Sequence, residues 1–445
     1  MIFVLDLILA LNLFIALKVF RNLASPPILV GAGMLAASII ATSYYNEWEL
    51  EKMLPISVFI IGCGTLFFTF CCVVYSWFCK PFKFKSNLNE INVPVKKVKI
   101  FILFSIIIGC LGILLKLYYL KQTFGSLGIS ALIVAKRIDE LNGTNDFYLP
   151  SYVRQFGSYT TVVSNFTIWL LSLMACCKNN NIKKIRKILY CHIIIILVDG
   201  MLSGSKAPIL NMFMQFGVFA LFNYYASRGS FHLSHKVYLR FLIVFVLLAL
   251  SFRGLNLLIG RSVEDRTNMD LLAEYCGAEI KNFDIYMHSS GVDYKQKWGE
   301  NTFYSLHKEL DPDYDYSSTA FQYVGKHSLG NVYTQYQPFH QDWGMPGVFL
   351  MSLIIALISM FFYEKAKKSI KSPLLLNVNL FIYTSMAMSL FMAFFSSKFT
   401  ESIMRLGWLR TVVYLCVMVW FLKKFVLTYK NIKDGKVIND CHTNV

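Results

Sequence analysis

The stretch GNVYTQYQPFHQDWGMPG, Gly330–Gly347, gathers Asn331, Tyr333, His340, Asp342 and Trp343 just before an apolar run. A simple connector needs none of them. Imidazole titrates near neutrality, so His340 has the chemistry of a general base or of a hydrogen-bond donor to phosphate. Asp342 would orient it or act as the base itself. Tyr333 and Trp343 offer flat faces for a sugar ring, and equally serve as interfacial anchors. A second set is cationic. In SGSKAP, Ser203 or Ser205 can cap the next helix and Pro208 suits its first turn. Lys206 then stands beside free amides at a helix N-terminus, a seat for an anion. Arg253 lies inside an apolar run, Arg261 just beyond it, and Arg405 and Arg410 near the start of the last run. A charge within a membrane lines a cavity or a substrate path. For Arg261 and Arg405, snorkelling to head groups is the plain alternative. Asp199 is a natural partner for one of these cations.

The elements that must position these residues are apolar helices. The chain has 445 residues, 56% of them hydrophobic, and its apolar runs recur at lengths that cross a hydrocarbon core of roughly 30 Å. The expected fold is an all-α polytopic membrane protein. Eleven spans fit: 2–20, 28–45, 54–79, 98–118, 152–177, 187–202, 207–227, 237–260, 344–363, 373–395 and 403–425. The chain divides into spans with short loops over 1–260, a large polar loop over 261–343, and the last spans with a tail over 344–445. Two shorter helices are expected outside the spans, an amphipathic one in SLGISALIVAKRIDEL and one in NMDLLAEYCGAEIKNF.

The net charge of +17 does not mark a nucleic-acid binder, because Lys and Arg cluster in short loops as orientation signals do. One alternating set of loops, including KNNNIKKIRK and EKAKKSIKS, is lysine-rich. The other holds most of the Asp and Glu: NEWELEK, 119–151, SGSK, 261–343 and SSKFTES. The positive-inside rule makes the first set cytoplasmic, with the N-terminus outside and the C-terminus inside. The lip at Gly330–Gly347 then faces outward, away from ATP and nucleotide sugars.

The sequence holds no Walker A loop, dinucleotide fingerprint, H-E-x-x-H helix or G-x-S-x-G elbow. DPDYD, residues 311–315, departs from a calcium loop, with Tyr316 at the glycine position and Gln322 where a glutamate belongs. No metal or cofactor is expected. Cys276 alone among the cysteines lies in the large loop, so no disulfide framework is expected there.

In order, these features resemble the bacterial Wzy polymerases of O-antigen and other oligosaccharide repeat units. That family carries a Gly-Ser-Arg-like turn, then an Asn-x-Tyr stretch leading to an Asp-aromatic-Gly-x-x-Gly element. Here those positions read Gly204-Ser205-Lys206, Asn331-Val332-Tyr333 and Asp342-Trp343-Gly344-Met345-Pro346-Gly347, and WGENTF at 298–303 is similar to the family's loop. Lys206 stands where Arg is commoner, which keeps the charge and loses the bidentate fork. The resemblance implies a GT-C-like glycosyltransferase of the bacterial inner membrane with one large periplasmic loop. Its substrates would be oligosaccharides on undecaprenyl diphosphate, with membrane lipids, a chain-length regulator and a flippase as partners. His340, Asp342 and Arg253 would be catalytic. Lys206, Ser205, Arg261, Arg405, Asn331, Tyr333 and Trp343 would bind diphosphate or glycan. An O-antigen ligase and a transporter of lipid-linked oligosaccharide are the competing readings.

Overall fold

The computed structural model describes residues 1–80, 82, 94–142, 147–176, 183–237, 239, 243, 254, 267–289, 298–311, 320–325, 327–371, 376–427, 431–433 and 436–438. The apolar helices are α1 (Ile2–Phe20), α2 (Pro26–Thr42), α3 (Pro55–Phe78) and α4 (Val95–Phe124). After α5 (Ile129–Asn142) come α6 (Ser151–Cys176), α7 (Arg186–Met201) and α8 (Ala207–Arg228). The polar segment contributes α9 (Asn268–Cys276), α10 (Ala278–Ser289), α11 (Tyr304–Leu310) and a hairpin of β1 (Gln322–Val324) and β2 (His327–Gly330). Then follow α12 (Tyr336–Ala366), α13 (Val378–Phe391) and α14 (Leu406–Phe421). The expected span 237–260 falls almost wholly outside the described residues.

Five of these helices are long and apolar enough to cross a membrane: α1, α3, α4, α6 and the helix that begins at Tyr336. Two shorter apolar stretches, Pro26–Thr42 and Val378–Phe394, stand beside them. Prolines at the first positions of α2, α3 and α8 start helices where an amide would have no partner anyway. Many side chains on α1 and α4, such as Leu7, Phe14, Ile107 and Leu114, are exposed despite being apolar. That pattern suits a lipid-facing surface. The interior is aromatic: Phe219, Phe222, Tyr363, Phe381 and Tyr383 are fully buried where α8, α12 and α13 meet.

The connections sort to two ends of the bundle. At one end, Tyr44 Oη donates to Asp270 Oδ1 (3.0 Å), Lys281 Nζ to the Glu49 carbonyl (3.2 Å) and Lys136 Nζ to the Ser203 carbonyl (3.4 Å). The Gln335 amide there meets the Ala393 carbonyl (2.9 Å), and the Gly407 amide meets Glu309. This end therefore collects the acid-bearing set of loops. At the other end the Leu23 amide meets Tyr225 Oη (3.3 Å), Lys367 sits 5.9 Å from the Phe82 ring and Asn377 Nδ2 donates to the Lys365 carbonyl (3.0 Å). The charge pattern of the sequence is thus a map of the two ends.

Both helices expected in the polar stretches form. NMDLLAEYCGAEIKNF splits into α9 and α10 at Gly277, and α9 opens with a capping box between Thr267 and Asp270. α12 is broken rather than continuous. Gly344 takes φ 63° and ψ −153°, a backbone shape only glycine adopts readily, so Tyr336–Trp343 forms a separate segment before the spanning part.

Candidate functional site: a cationic seat on an apolar cavity

The turn between α7 and α8 is built from its serines. Gly204 adopts φ +67°. Ser203 Oγ donates to the Gly200 carbonyl (2.6 Å) and accepts from the Ser205 amide (3.3 Å), while Ser205 Oγ accepts from the Ala207 amide (3.2 Å). Ser205 Oγ thus closes a tight turn onto Ala207, while the cap position of α8 falls to Lys206, which makes no side-chain capping bond; neither Ser203 nor Ser205 is the cap that the sequence suggests. Lys206 is carried inward and only 6% exposed, with Nζ 3.9 Å from the centroid of the Tyr275 ring. That ring face is an electrostatic seat for a cation. α5 lies over the same turn, with Ile133 against Gly204.

Lys206 opens onto a cavity of about 1820 Å³. Among the described residues, its walls come chiefly from α2, α8 and α13. Around the Lys206 end stand Arg137 of α5, Lys398, Asn331 and Glu274. Lys398 begins a short helical turn, Lys398–Ser402, and shares its charge with Glu401. Three cations and one carboxylate thus face the same end. The rest of the lining is mostly apolar, with Thr161, Asn211, Ser385 and Ser389 among it, and continues beside α8 from Ala207 to Arg228.

Asn331 reaches this cavity because Asn282 of α10 holds the chain on both sides of it. Asn282 Nδ2 donates to the carbonyls of Leu329 and Val332, both at 2.8 Å. The other residues of the lip go elsewhere. Tyr333 Oη accepts from Gln322 Nε2 (3.0 Å) and donates to the Ala320 carbonyl (3.4 Å), which ties it to the hairpin. His340 is 7% exposed, and its Nδ1 meets Tyr286 Oη at 3.0 Å. It precedes the break at Gly344, and burial pushes its pKa below the ordinary imidazole value. Asp342 accepts from the Asn301 amide (3.2 Å), Asn301 Nδ2 (2.8 Å) and the Thr302 amide (2.7 Å). Its carboxylate braces the WGENTF turn instead of orienting His340. Trp343 packs against Trp298 and Phe303. None of His340, Asp342 and Trp343 lines the cavity.

The remaining cations divide. Arg405 is 44% exposed and pairs with Glu309 at 3.8 Å, away from the cavity lining. Arg253 and Arg261 lie outside the described residues. Asp199 pairs with Lys116 of α4, not with any of the expected cations. Among the described residues no group of three or more His, Cys, Asp or Glu gathers as a metal site would require.

No protein-family model, curated protein or solved structure matches this chain.

Sequence reasoning missed Arg137, Glu274, Tyr275 and Lys398. Arg137 had a visible signal: it shares a helical face with Val134 and Ile138, and all three line the cavity. One buried group stands apart from the cavity lining. Glu279 of α10 is 0% exposed, and among the described residues no other residue hydrogen-bonds to either carboxylate oxygen. Burial first, and the Glu274 charge after it, hold its pKa well above the ordinary carboxyl value.

Proposed function

We propose that this chain polymerises lipid-linked oligosaccharide repeat units at the outer face of a bacterial inner membrane, as a GT-C-like glycosyltransferase. The observation that carries the reading is the shape and charge of the cavity. Arg137, Lys206 and Lys398 face one end, and an apolar wall continues beyond them. An amphiphile with an anionic head and a hydrocarbon tail has the matching pattern, and a glycan on a polyprenyl diphosphate is such an amphiphile. In this reading the chain crosses the membrane eleven times, with its acid-bearing loops outside and its C-terminus inside.

The chemistry needs little more than electrostatics. An acceptor sugar hydroxyl attacks the anomeric carbon of the growing glycan. The bond from that carbon to the diphosphate oxygen breaks, and the hydroxyl proton leaves to a base or to water. Negative charge grows on the departing diphosphate, so preorganised cations lower the barrier. Lys206, seated on the Tyr275 ring at the cavity wall, is one of those cations. The N-terminus of α8, which begins directly after Lys206, adds a favourable dipole.

A transporter of the same lipid fits less well. Moving a polar head across the bilayer calls for charged or strongly polar groups at mid-depth, whereas among the described residues Ala32, Ala36, Phe213 and Phe216 dominate that part of the cavity, with only the hydroxyls of Thr161 and Ser385 beside them. Polymerase and ligase share the donor chemistry and differ in the acceptor. Lipopolysaccharide banding in a deletion strain separates them: core plus one repeat unit marks a lost polymerase, and bare core marks a lost ligase. Bands of normal length distribution would reject both.

A further inference from the structure

The cavity is long as well as large. Its lining follows α8 from Ala207 and Pro208 at the cationic end to Ser227 and Arg228 at the other. At 1.5 Å per residue, the 22 residues of α8 span about 33 Å, the thickness of a whole hydrocarbon core. The opposite wall, α2, lines the cavity from Ile28 to Ile40 in the reverse direction. A tail anchored by its head at Lys206 and confined to one leaflet would fill only about half of this length. The middle of the cavity is bordered by small residues, Ala32 and Ala36 on α2 and Gly217 on α8, all half-buried. Larger side chains there would divide it in two.

We infer that the protein reads the length of its substrate's hydrocarbon tail. The tail runs from the Lys206 seat past Gly217 toward Arg228, so an anionic lipid must carry a chain longer than one leaflet to fill the site. This inference rests on the proposed reading of the cationic end and adds a second recognition element to it. The occupant is set by charge and reach together: three cations gather at the Lys206 end against Arg228 alone at the far end, which calls for a single anionic head at the first, and the mostly apolar stretch between them calls for one long tail. Lipid tails are as apolar as the wall, so the gain comes from packing and not from leaving water. It should therefore be modest.

The test uses the full-length protein in nanodiscs and prenyl diphosphates of about four and about eleven isoprene units. Equilibrium binding should favour the longer lipid by about tenfold, equivalent to about 1.4 kcal/mol. Gly217→Phe should erase that preference while leaving the affinity for the short lipid unchanged. Ala36→Phe, from the opposite wall, should do the same. Retained short-lipid binding shows that each variant is folded. Because both lipids meet the same bilayer, their different membrane partitioning cancels when the preference is compared between wild type and variant. A preference unaltered by both substitutions would overturn the inference. So would equal, Lys206-dependent binding of the two lipids by the wild type, although the diphosphate seat would survive that result. Binding of both lipids that ignores Lys206→Ala would sink the seat and the tail reading together.

Discussion

Lys206 and the lip at His340–Trp343 look alike in sequence and differ in where they face: Lys206 lines the cavity, and His340, Asp342 and Trp343 do not. Both place charged or titratable groups beside an apolar run. At the first, the serines of the turn satisfy the backbone, and the lysine is carried onto an aromatic face at the cavity wall. At the second, the carboxylate itself satisfies the backbone. Asp342 receives two amides and a side-chain donor from one turn, which leaves little capacity for a substrate. The difference teaches that a charged residue near a site is available for chemistry only when other groups do the local structural work.

The largest test of this contrast is at Lys206. Lys206→Ala should cut polymer formation by about a hundredfold or more, the scale of losing one preorganised charge in acyl and phosphoryl transfer. Protein level and unfolding temperature should stay near wild type, and turnover on purified lipid-linked units is the readout. Polymer at wild-type levels would remove Lys206 from the mechanism.

Asp342→Ala should act in the opposite way. Removing an acceptor of three hydrogen bonds should destabilise the protein by about 2–4 kcal/mol, given the strength of bonds to charged groups and the cost of unpaired amides. Thermal unfolding in detergent measures this, and turnover at a permissive temperature should remain within a few-fold of wild type. Full stability with lost turnover would return Asp342 to the reacting centre.

Glu279 sharpens the comparison from the stability side, and here the sign matters. Its folded pKa lies well above the ordinary 4.5. Between those values the unfolded chain ionises and the folded one stays protonated, so the unfolded state gains. The contribution is intact below about pH 4.5 and is lost as pH rises through the folded pKa. Glu279→Gln should therefore raise the unfolding temperature at neutral pH and flatten its dependence on pH. A variant less stable than wild type at pH 7 would show that the carboxylate is bound and ionised.

The smallest effect is expected at Tyr286→Phe. It deletes one neutral hydrogen bond to His340, worth about 1 kcal/mol. If His340 serves only packing, turnover at constant temperature should not move. A large fall in turnover, shared by His340→Gln, would identify the pair as a proton path after all.

Much of the architecture was legible in the sequence for simple reasons. Apolar runs are nearly sufficient to name helices, and lysine loading separated the loops into the two groups that meet at opposite ends. Gly344 as the entry to a span followed from local chemistry alone, whereas the expected serine cap of α8 did not form, its cap position being Lys206. The site was less legible because it is assembled from distant segments. Arg137, Tyr275, Asn331 and Lys398 converge on Lys206 from four separate stretches of chain, and no periodicity in one stretch foretells a neighbour in another. Asp342 misled for a related reason. Its spacing from His340 invited a pairing, while its actual donors, Asn301 and Thr302, come some forty positions earlier.

The N-terminus of α3 carries a consequence for the order in which the protein is made. Leu54 supplies no side-chain cap there. The missing acceptor is Asp284, which lies 230 positions later and takes the Leu54 amide at 2.9 Å and Ser57 Oγ at 2.8 Å. During synthesis α3 enters the membrane without this acceptor for the Leu54 amide and the Ser57 hydroxyl, and it stays so until the polar segment has been translated, exported and docked. The bundle therefore cannot be finished one helix at a time. Its early part waits on its late part, and a ribosome stalled before residue 284 would leave an inserted chain that is unfinished at an end already formed.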